Sequence, residues 1–155
     1  MARPKRRISA RVLIGGAVVL GVVTIALAGT GIGPRFTEVS GVDSIVISGA
    51  DLKRGDLRFF SYRNDVGKEI RFILGRDESG QVSAAFDACE RCAQYRKGYT
   101  SSHGYLVCRS CGNRYKLNSR GSGIASCAPI KLPVREAGGR IMVGTSQLKQ
   151  HQELF

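Results

Sequence analysis

The pattern of apolar and polar positions divides the chain into one long apolar run and a series of short alternating segments after it. Residues 12–33 include no charged side chain, and as a helix rising about 1.5 Å per residue they are long enough to cross a bilayer. A helix buried in a soluble core normally keeps a polar face, and this run has none. The sequence therefore predicts a transmembrane helix, or a signal anchor, over 12–33.

Beyond the apolar run, short segments rich in β-branched and aromatic residues alternate with turn residues. Loops at 64–67 and 77–80 have the composition of hairpin turns, which favours an antiparallel meander. Strands are predicted at 44–48, 57–63, 69–74, 82–86, 105–107, 114–117 and 140–143. We therefore predict a mainly β fold class: one small antiparallel β domain with metal-binding loops, following the single helix.

The same pattern predicts the domain boundaries. Residues 1–11 form a basic N-terminus, 34–41 a linker, 42–146 an exported β-rich metal-binding domain and 147–155 a polar tail. Such a small β domain has a thin core, so cross-linking by a metal or by disulfides is expected.

The net charge of +12 is unevenly distributed along the chain. Five of the 24 basic residues precede the apolar run, and from residue 34 onward basic and acidic residues are interspersed. Interspersed charges without a basic helix or an aromatic ladder indicate a solvated surface, so we predict no nucleic-acid partner. Positive charge ahead of the apolar run predicts a cytoplasmic N-terminus and an exported C-terminal domain, with lipid around 12–33.

Two alternatives concern the same N-terminal region. Ala26, Leu27 and Ala28 form an A-x-A pattern, so a cleaved signal peptide is a second interpretation. Arg6 and Arg7 are a partial match to a twin-arginine signal, although the residues after them fit poorly. Both alternatives also place the globular part outside the cytoplasm.

Four of the five cysteines form two C-x-x-C pairs, Cys89 with Cys92 and Cys108 with Cys111. Two short loops that each supply two thiolates can surround a tetrahedral zinc or iron, and the spacing is typical of such sites. Gly112 suits a tight turn in which backbone N–H groups point at the sulfurs. We predict these four cysteines as metal ligands, with Cys127 as a further candidate ligand.

Other interpretations of the cysteines remain open. Thiols outside the cytoplasm tend to oxidise, so two disulfides are one alternative, although a fifth cysteine leaves the pairing incomplete. A structural zinc is the strongest rival to a redox centre. A thioredoxin-like site is disfavoured, because neither pair precedes a helical pattern.

Aromatic, histidine and basic residues near the loops have simpler default roles. Packing is expected for the tyrosines, with a water-excluding shield around a cofactor as the alternative. An exposed turn is expected for His103, no role is assigned to His151, and solubility is the default for the basic residues, with docking of an acidic partner as the alternative. The tyrosines are Tyr95, Tyr99, Tyr105 and Tyr115, and the basic residues are Lys97, Arg109 and Arg114.

The stretch VCRSCGNRYKLNSRGSG, followed by APIKLPVREAGGRIMV, resembles the cluster-binding region of Rieske proteins. In that resemblance Cys92 and Cys111 occupy the positions of the two histidine ligands, which implies four sulfur ligands. The first loop is one residue longer than in the Rieske pattern.

A broader resemblance covers nearly the whole region after the apolar run. GDLRFFSY, the loop segments around Cys89 and Cys108, and CAPIKLPV are similar in order to the membrane iron–sulfur-containing proteins typified by FtrD of bacterial ferrous-iron transport systems. Where that family has G-G-C-N-P, this chain has Ala-Ser-Cys-Ala-Pro around Cys127. The resemblance implies a single-pass anchor in the bacterial inner membrane, an iron–sulfur cluster, [2Fe–2S] in type, and service to an iron or copper permease.

These observations predict electron transfer or metal handling on the extracytoplasmic face, with a permease or redox partner of a metal-uptake system. No pair of carboxylates or Ser/His/Asp set suggests an enzyme. Two alternatives use the same residues: a zinc- or disulfide-stapled module that binds a membrane permease, and an exported metallochaperone.

Overall fold

The computed structural model describes residues 33–118 and 128–155 of the chain. Eleven strands and one short α-helix are present in these ranges. The strands are β1 (Phe36–Val39), β2 (Ser44–Ser48), β3 (Leu57–Arg63), β4 (Glu69–Arg76), β5 (Val82–Cys89), β6 (Tyr99–Ser102), β7 (Tyr105–Cys108), β8 (Arg114–Tyr115), β9 (Pro129–Leu132), β10 (Arg135–Ala137) and β11 (Arg140–Gly144), and the helix is α1 (Thr145–Gln150).

The strands form three sheets. The central sheet has five strands in the order β1-β3-β4-β5-β9, and two three-stranded sheets have the orders β10-β11-β2 and β6-β7-β8. The meander β3-β4-β5 is antiparallel, with Phe60 opposite Phe72 and Phe72 opposite Phe86. The predicted mainly β, antiparallel-rich fold is confirmed, with one exception, because β1 pairs with β3 in parallel.

The central sheet carries a hydrophobic core on each face. Alternation along β4 places Ile70, Phe72 and Leu74 in one core, with the strands β2 and β11 and the helix α1. Ile73 points to the other face and joins a second core with Phe59. This second core also contains Cys89, Tyr99, Leu106, Cys108 and Tyr115, so the metal-ligand candidates form part of the packing that holds β6-β7-β8 against the central sheet.

Two segments differ from the sequence-based boundaries. The predicted linker contains β1, an edge strand that pairs on one side only, so half of its side chains stay exposed and its pattern is polar. The predicted polar tail, 147–155, includes most of α1, whose Leu148 is fully buried. It also includes Phe155, whose ring centroid lies 6.3 Å from that of Phe86. A short segment such as β1 or α1 can pack against the domain through one or two apolar residues, so a mostly polar composition does not exclude a regular, packed structure.

Among the residues that the structure describes, no helix is long and apolar enough to span a membrane. The predicted span at 12–33 lies outside the described residues except for Gly33.

Candidate metal centre

The four cysteines of the two C-x-x-C pairs lie at strand ends and in the loops that follow. Cys89 is the last residue of β5, after a register irregularity in its pairing with β9, and Cys92 precedes a short 3-10 helix at Ala93–Tyr95. Cys108 is the last residue of β7, directly opposite Tyr99 of β6. These positions hold Cys89 and Cys108 on rigid strands and leave Cys92 and Cys111 on loops.

Three of the sulfurs converge. The Sγ atoms of Cys89, Cys92 and Cys108 all lie within 4.8 Å of one another. Cys89 and Cys108 are buried and Cys92 is half-buried, whereas Cys111 is exposed. Cys111 is nevertheless close to the group, because its side chain hydrogen-bonds to that of Cys108. None of these four described cysteines forms a disulfide.

Backbone N–H groups point at the sulfurs. The N–H of Cys92 donates to Cys89 Sγ at 3.1 Å, and the N–H groups of Ser110 and Cys111 donate to Cys108. Gly112 closes the second loop with φ +74° and donates its N–H to Cys108 O at 2.8 Å. A side chain is disfavoured at this φ, so glycine is what allows the tight turn predicted from the sequence. Such donors stabilise thiolate charge.

The thiol of Cys108 has a raised pKa in the absence of a bound cation. Burial is the main reason that the pKa of the Cys108 thiol is raised, and the hydrogen bond that this thiol donates to Cys111 and the charge of Cys89 raise it further, against the lowering effect of the backbone donors. A group of thiols that cannot all ionise together is stabilised by a cation, which replaces their protons.

The phenol of Tyr99 donates a hydrogen bond to one of the cysteine sulfurs. It is fully buried, and its hydroxyl hydrogen-bonds to Cys89. Burial, followed by the charges of Cys89 and Cys108, raises the pKa of Tyr99 well above its usual value. The phenol therefore stays protonated and acts as a permanent donor to the sulfur.

Asp87 holds the backbone at Tyr99. Its Oδ1 accepts the Tyr99 N–H at 2.7 Å, and its Oδ2 lies 3.7 Å from Nε of Arg71 without a hydrogen-bond partner. Desolvation is the main reason that its pKa is raised from 3.8 to about 7, with the Tyr99 N–H and Arg71 opposing. Asp87 was not predicted as a site residue from the sequence, although an acidic residue inside the apolar run of β5 is a signal for one.

The other residues singled out from the sequence are distributed around the centre. Tyr115 is buried edge-on to Tyr99, with ring centroids 6.4 Å apart. Tyr105 packs under the Arg114 guanidinium, 4.6 Å from its ring centroid, and Tyr95 is 60% exposed. Tyr95 and Tyr105 thus face outward, while Tyr99 and Tyr115 shield the sulfurs.

The remaining predictions concern histidines and Cys127. His103 is exposed in the β6–β7 turn at φ +49°, with its Nδ1 3.0 Å from Ser102 Oγ. His151 packs its ring on Phe86 at 4.9 Å between centroids. Cys127 lies outside the described residues.

The donor set fits a thiolate-bound metal. Sulfurs bound at about 2.3 Å to one tetrahedral ion lie roughly 4 Å apart. The three converging sulfurs all lie within 4.8 Å of one another, which is compatible with such a site. Thiolate ligands are the ones that zinc and iron–sulfur clusters share. Backbone N–H donors and a phenol directed at sulfur supply the surrounding hydrogen bonds that tune such centres. A small β protein with a thiol-lined metal centre is the class that the fold and the site define.

The sequence profile of the family described as FtrD-like, membrane iron-sulfur containing proteins, matches residues 52–155. The chain belongs to this family. The match includes all four cysteines of the two C-x-x-C pairs, so the family and the cysteine group together support an iron–sulfur cofactor. No curated protein matches the chain significantly.

Solved structures give partial matches at low identity. A quaternary ammonium Rieske monooxygenase in complex with an inhibitor is 17% identical with a TM-score of 0.44, over 64% of this chain and 30% of that one. The ferredoxin of carbazole 1,9a-dioxygenase from Nocardioides aromaticivorans is 18% identical with a TM-score of 0.40, over 66% of this chain and 94% of that one. The chain thus spans under a third of the monooxygenase's length.

Proposed function

We propose that this protein is a membrane-anchored one-electron carrier whose iron–sulfur cluster is bound by Cys89, Cys92, Cys108 and Cys111. The observation that carries the proposal is the convergence of Cys89, Cys92 and Cys108 within 4.8 Å, with Cys111 hydrogen-bonded to Cys108. Residues 12–33 are the anchor, and the domain after them works on the extracytoplasmic face of the bacterial inner membrane.

Different burial of the four sulfurs gives them different tasks in this proposal. Cys89 and Cys108, buried on strand ends, would hold the cluster from within the domain, and the less buried Cys92 and Cys111 would complete the ligand set. A bound [2Fe–2S] cluster supplies the ability to accept and release one electron. Because Cys111 is the exposed member of the group, a redox partner at the surface would approach the site from its side.

The surrounding residues favour exchange of electrons over exchange of ligands. Tyr99 donates a hydrogen bond to Cys89, and the backbone of Ser110 and Cys111 donates to Cys108, so these bonds would help to keep both sulfurs in place as ligands. Four thiolates concentrate negative charge and favour the oxidised state. The potential is therefore expected well below the roughly −150 to +300 mV of histidine-ligated Rieske centres.

An iron or copper uptake system is the proposed setting, since the resemblance of the sequence to FtrD of bacterial ferrous-iron transport systems implies it. The partner is a membrane permease or a redox protein of that system. A low-potential centre outside the cytoplasm is suited to keep a transported metal in its reduced state.

Equilibrium redox titration of the anaerobically purified full chain tests this proposal. Visible charge-transfer absorption that bleaches on one-electron reduction, with a midpoint below that of Rieske centres, supports it. A matched pair of variants, Cys108→Ser and Cys127→Ser, compares a cysteine of the group with the one outside the described residues. Loss of absorption only in Cys108→Ser assigns the site to the two C-x-x-C pairs; loss in both adds Cys127 to it.

One observation favours a second candidate function. A spacing of 4.8 Å or less among three sulfurs suits a single ion as well as a cluster, so a structural zinc module that binds a permease uses the same ligands. A colourless protein that contains stoichiometric zinc and does not titrate between redox states would replace the first proposal with this one.

A further inference from the structure

The loops that carry the cysteines also carry a basic surface. The segment 89–118 contains six lysines and arginines and a single acidic residue, Glu90. We give the name loop face to the exposed side chains of Arg91, Tyr95, Arg96, Lys97 and Arg109. Tyr95 is 60% exposed, so the loop face combines positive charge with an uncovered aromatic ring.

Hydrogen bonds hold the loop face together. Arg109 donates from Nη1 to Lys97 O at 3.1 Å and from its backbone N–H to Gly98 O at 2.9 Å. Arg71 donates to Arg96 O at 3.0 Å, which ties the first loop to the central sheet. These bonds hold the two cysteine loops beside each other, so the exposed basic residues that the loops carry do not belong to independent segments.

The described chain begins beside this surface. A methyl group placed on Gly33 would lie 3.6 Å from Nη1 of Arg109. Phe36 follows with its ring 5.7 Å from that of Phe59 and under the Arg71 guanidinium, so the start of the chain is packed onto the domain. Gly33 is also the residue at which the uncharged apolar run of the sequence ends, and Arg35 just beyond it is exposed.

We propose that the loop face is the membrane-facing surface of the domain and binds anionic phospholipid headgroups. Arginine and lysine close to an anionic bilayer are attracted to it, and tyrosine is enriched at the level of the headgroups. If the apolar run is in the bilayer, the chain emerges from the lipid near Gly33, which lies beside the Arg109 side chain in space. The metal centre then lies near the membrane surface, where it exchanges electrons with membrane-embedded partners.

This proposal rests on the membrane anchor proposed above, and fluorescence of the full chain in lipid discs tests it. The protein contains no tryptophan, so Tyr95→Trp introduces a single reporter on the loop face. Glu78→Trp is the control, exposed in the turn before β5 and roughly 20 Å along that strand from Cys89. Brominated phosphatidylglycerol should quench the tryptophan at 95 and leave the one at 78 bright, and brominated phosphatidylcholine should quench both weakly.

Charge reversal completes the test. Arg96→Glu with Lys97→Glu should lower the ratio of docked to undocked domain by about fivefold per unit of charge changed, and quenching at 95 should disappear. The control is Arg135→Glu with Arg140→Glu, since both residues are exposed on β10 and β11, away from the loop segment 89–118. This pair should leave quenching at 95 unchanged.

Three results would overturn the proposal: a tryptophan at 95 that stays bright in phosphatidylglycerol, equal quenching at 95 and 78, or quenching that survives reversal at 96 and 97. The first is also the result expected if the loop face binds an acidic protein. A chain that does not enter the discs overturns the anchor itself, whereas the redox titration is read independently of both.

Discussion

Replacing Tyr99 by phenylalanine removes one oxygen from the centre and leaves the packing in place. The hydroxyl is buried and hydrogen-bonded to Cys89, and the ring contacts Tyr115 edge-on. Phenylalanine keeps the ring and deletes the only donor that the side chain offers to sulfur. The expected consequence is a change in redox potential without loss of the cofactor.

The magnitude follows from the strength of the lost bond. A hydrogen bond to a charged group contributes about 1.5–3 kcal/mol, and reduction adds negative charge to the sulfurs, so we take the bond to be about 1 kcal/mol stronger in the reduced state. For a one-electron couple about 1.4 kcal/mol corresponds to about 59 mV. The potential of Tyr99→Phe should therefore lie about 40 mV below that of the natural protein.

The raised pKa of Tyr99 adds a condition. Because burial and the neighbouring thiolates keep the phenol protonated, the difference in redox potential between Tyr99→Phe and the natural protein should be the same from about pH 6 to about pH 9. Redox titration of the full chain measures it, and metal analysis of the same samples shows that the site is loaded. Tyr62→Phe, the same change at a buried position in the other core, should leave the potential unchanged. An unaltered or higher potential in fully loaded Tyr99→Phe would refute the reasoning.

Three further predictions concern residues that support the centre or the fold. Asp87 has a folded-state pKa raised from 3.8 to about 7. Between these two pH values the folded protein binds more protons than the unfolded chain, so its free energy of unfolding falls as pH rises, by up to about 4 kcal/mol. Asp87→Asn should flatten that pH dependence in denaturant unfolding, and an unchanged slope would contradict it. Leu148→Ala should cost about 2–5 kcal/mol of unfolding free energy, against roughly 0.5 or less for the exposed neighbour Ser146→Ala; equal effects would show that α1 does not dock. Gly98→Ala places a methyl group on the Asp87 carboxylate at φ +65°, and should lower both the melting temperature and the metal content, whereas a fully loaded variant of normal stability would count against this geometry.

The pattern of apolar residues was enough to predict β2 and the meander β3-β4-β5. In β2, Ile45 and Ile47 point inward between exposed neighbours, as period-2 patterning requires. In β4, Phe72, Ile73 and Leu74 are consecutive and all buried, because the sheet is covered on both faces. The strands β1, β6, β9 and β10 and the helix α1 were not predicted, since each is short and docks through few apolar side chains.

The spacing of the two C-x-x-C pairs, which is typical of metal ligands, predicted a group of cysteines, and the structure brings Cys89, Cys92 and Cys108 together. Spacing did not predict the different burial of Cys108 and Cys111, which depends on the turn at Gly112. It also did not predict that Tyr99 donates to Cys89, nor that Asp87 accepts from the Tyr99 backbone. Those contacts arise from strand register and sheet packing.

Iron and acid-labile sulfide content of the anaerobically purified full chain, measured beside Cys108→Ser, tests the central claim most directly. We expect iron and sulfide in equal amounts in the natural protein, and most of both lost in Cys108→Ser. A protein that binds no iron, or that holds its C-x-x-C sulfurs in disulfides, would contradict the account.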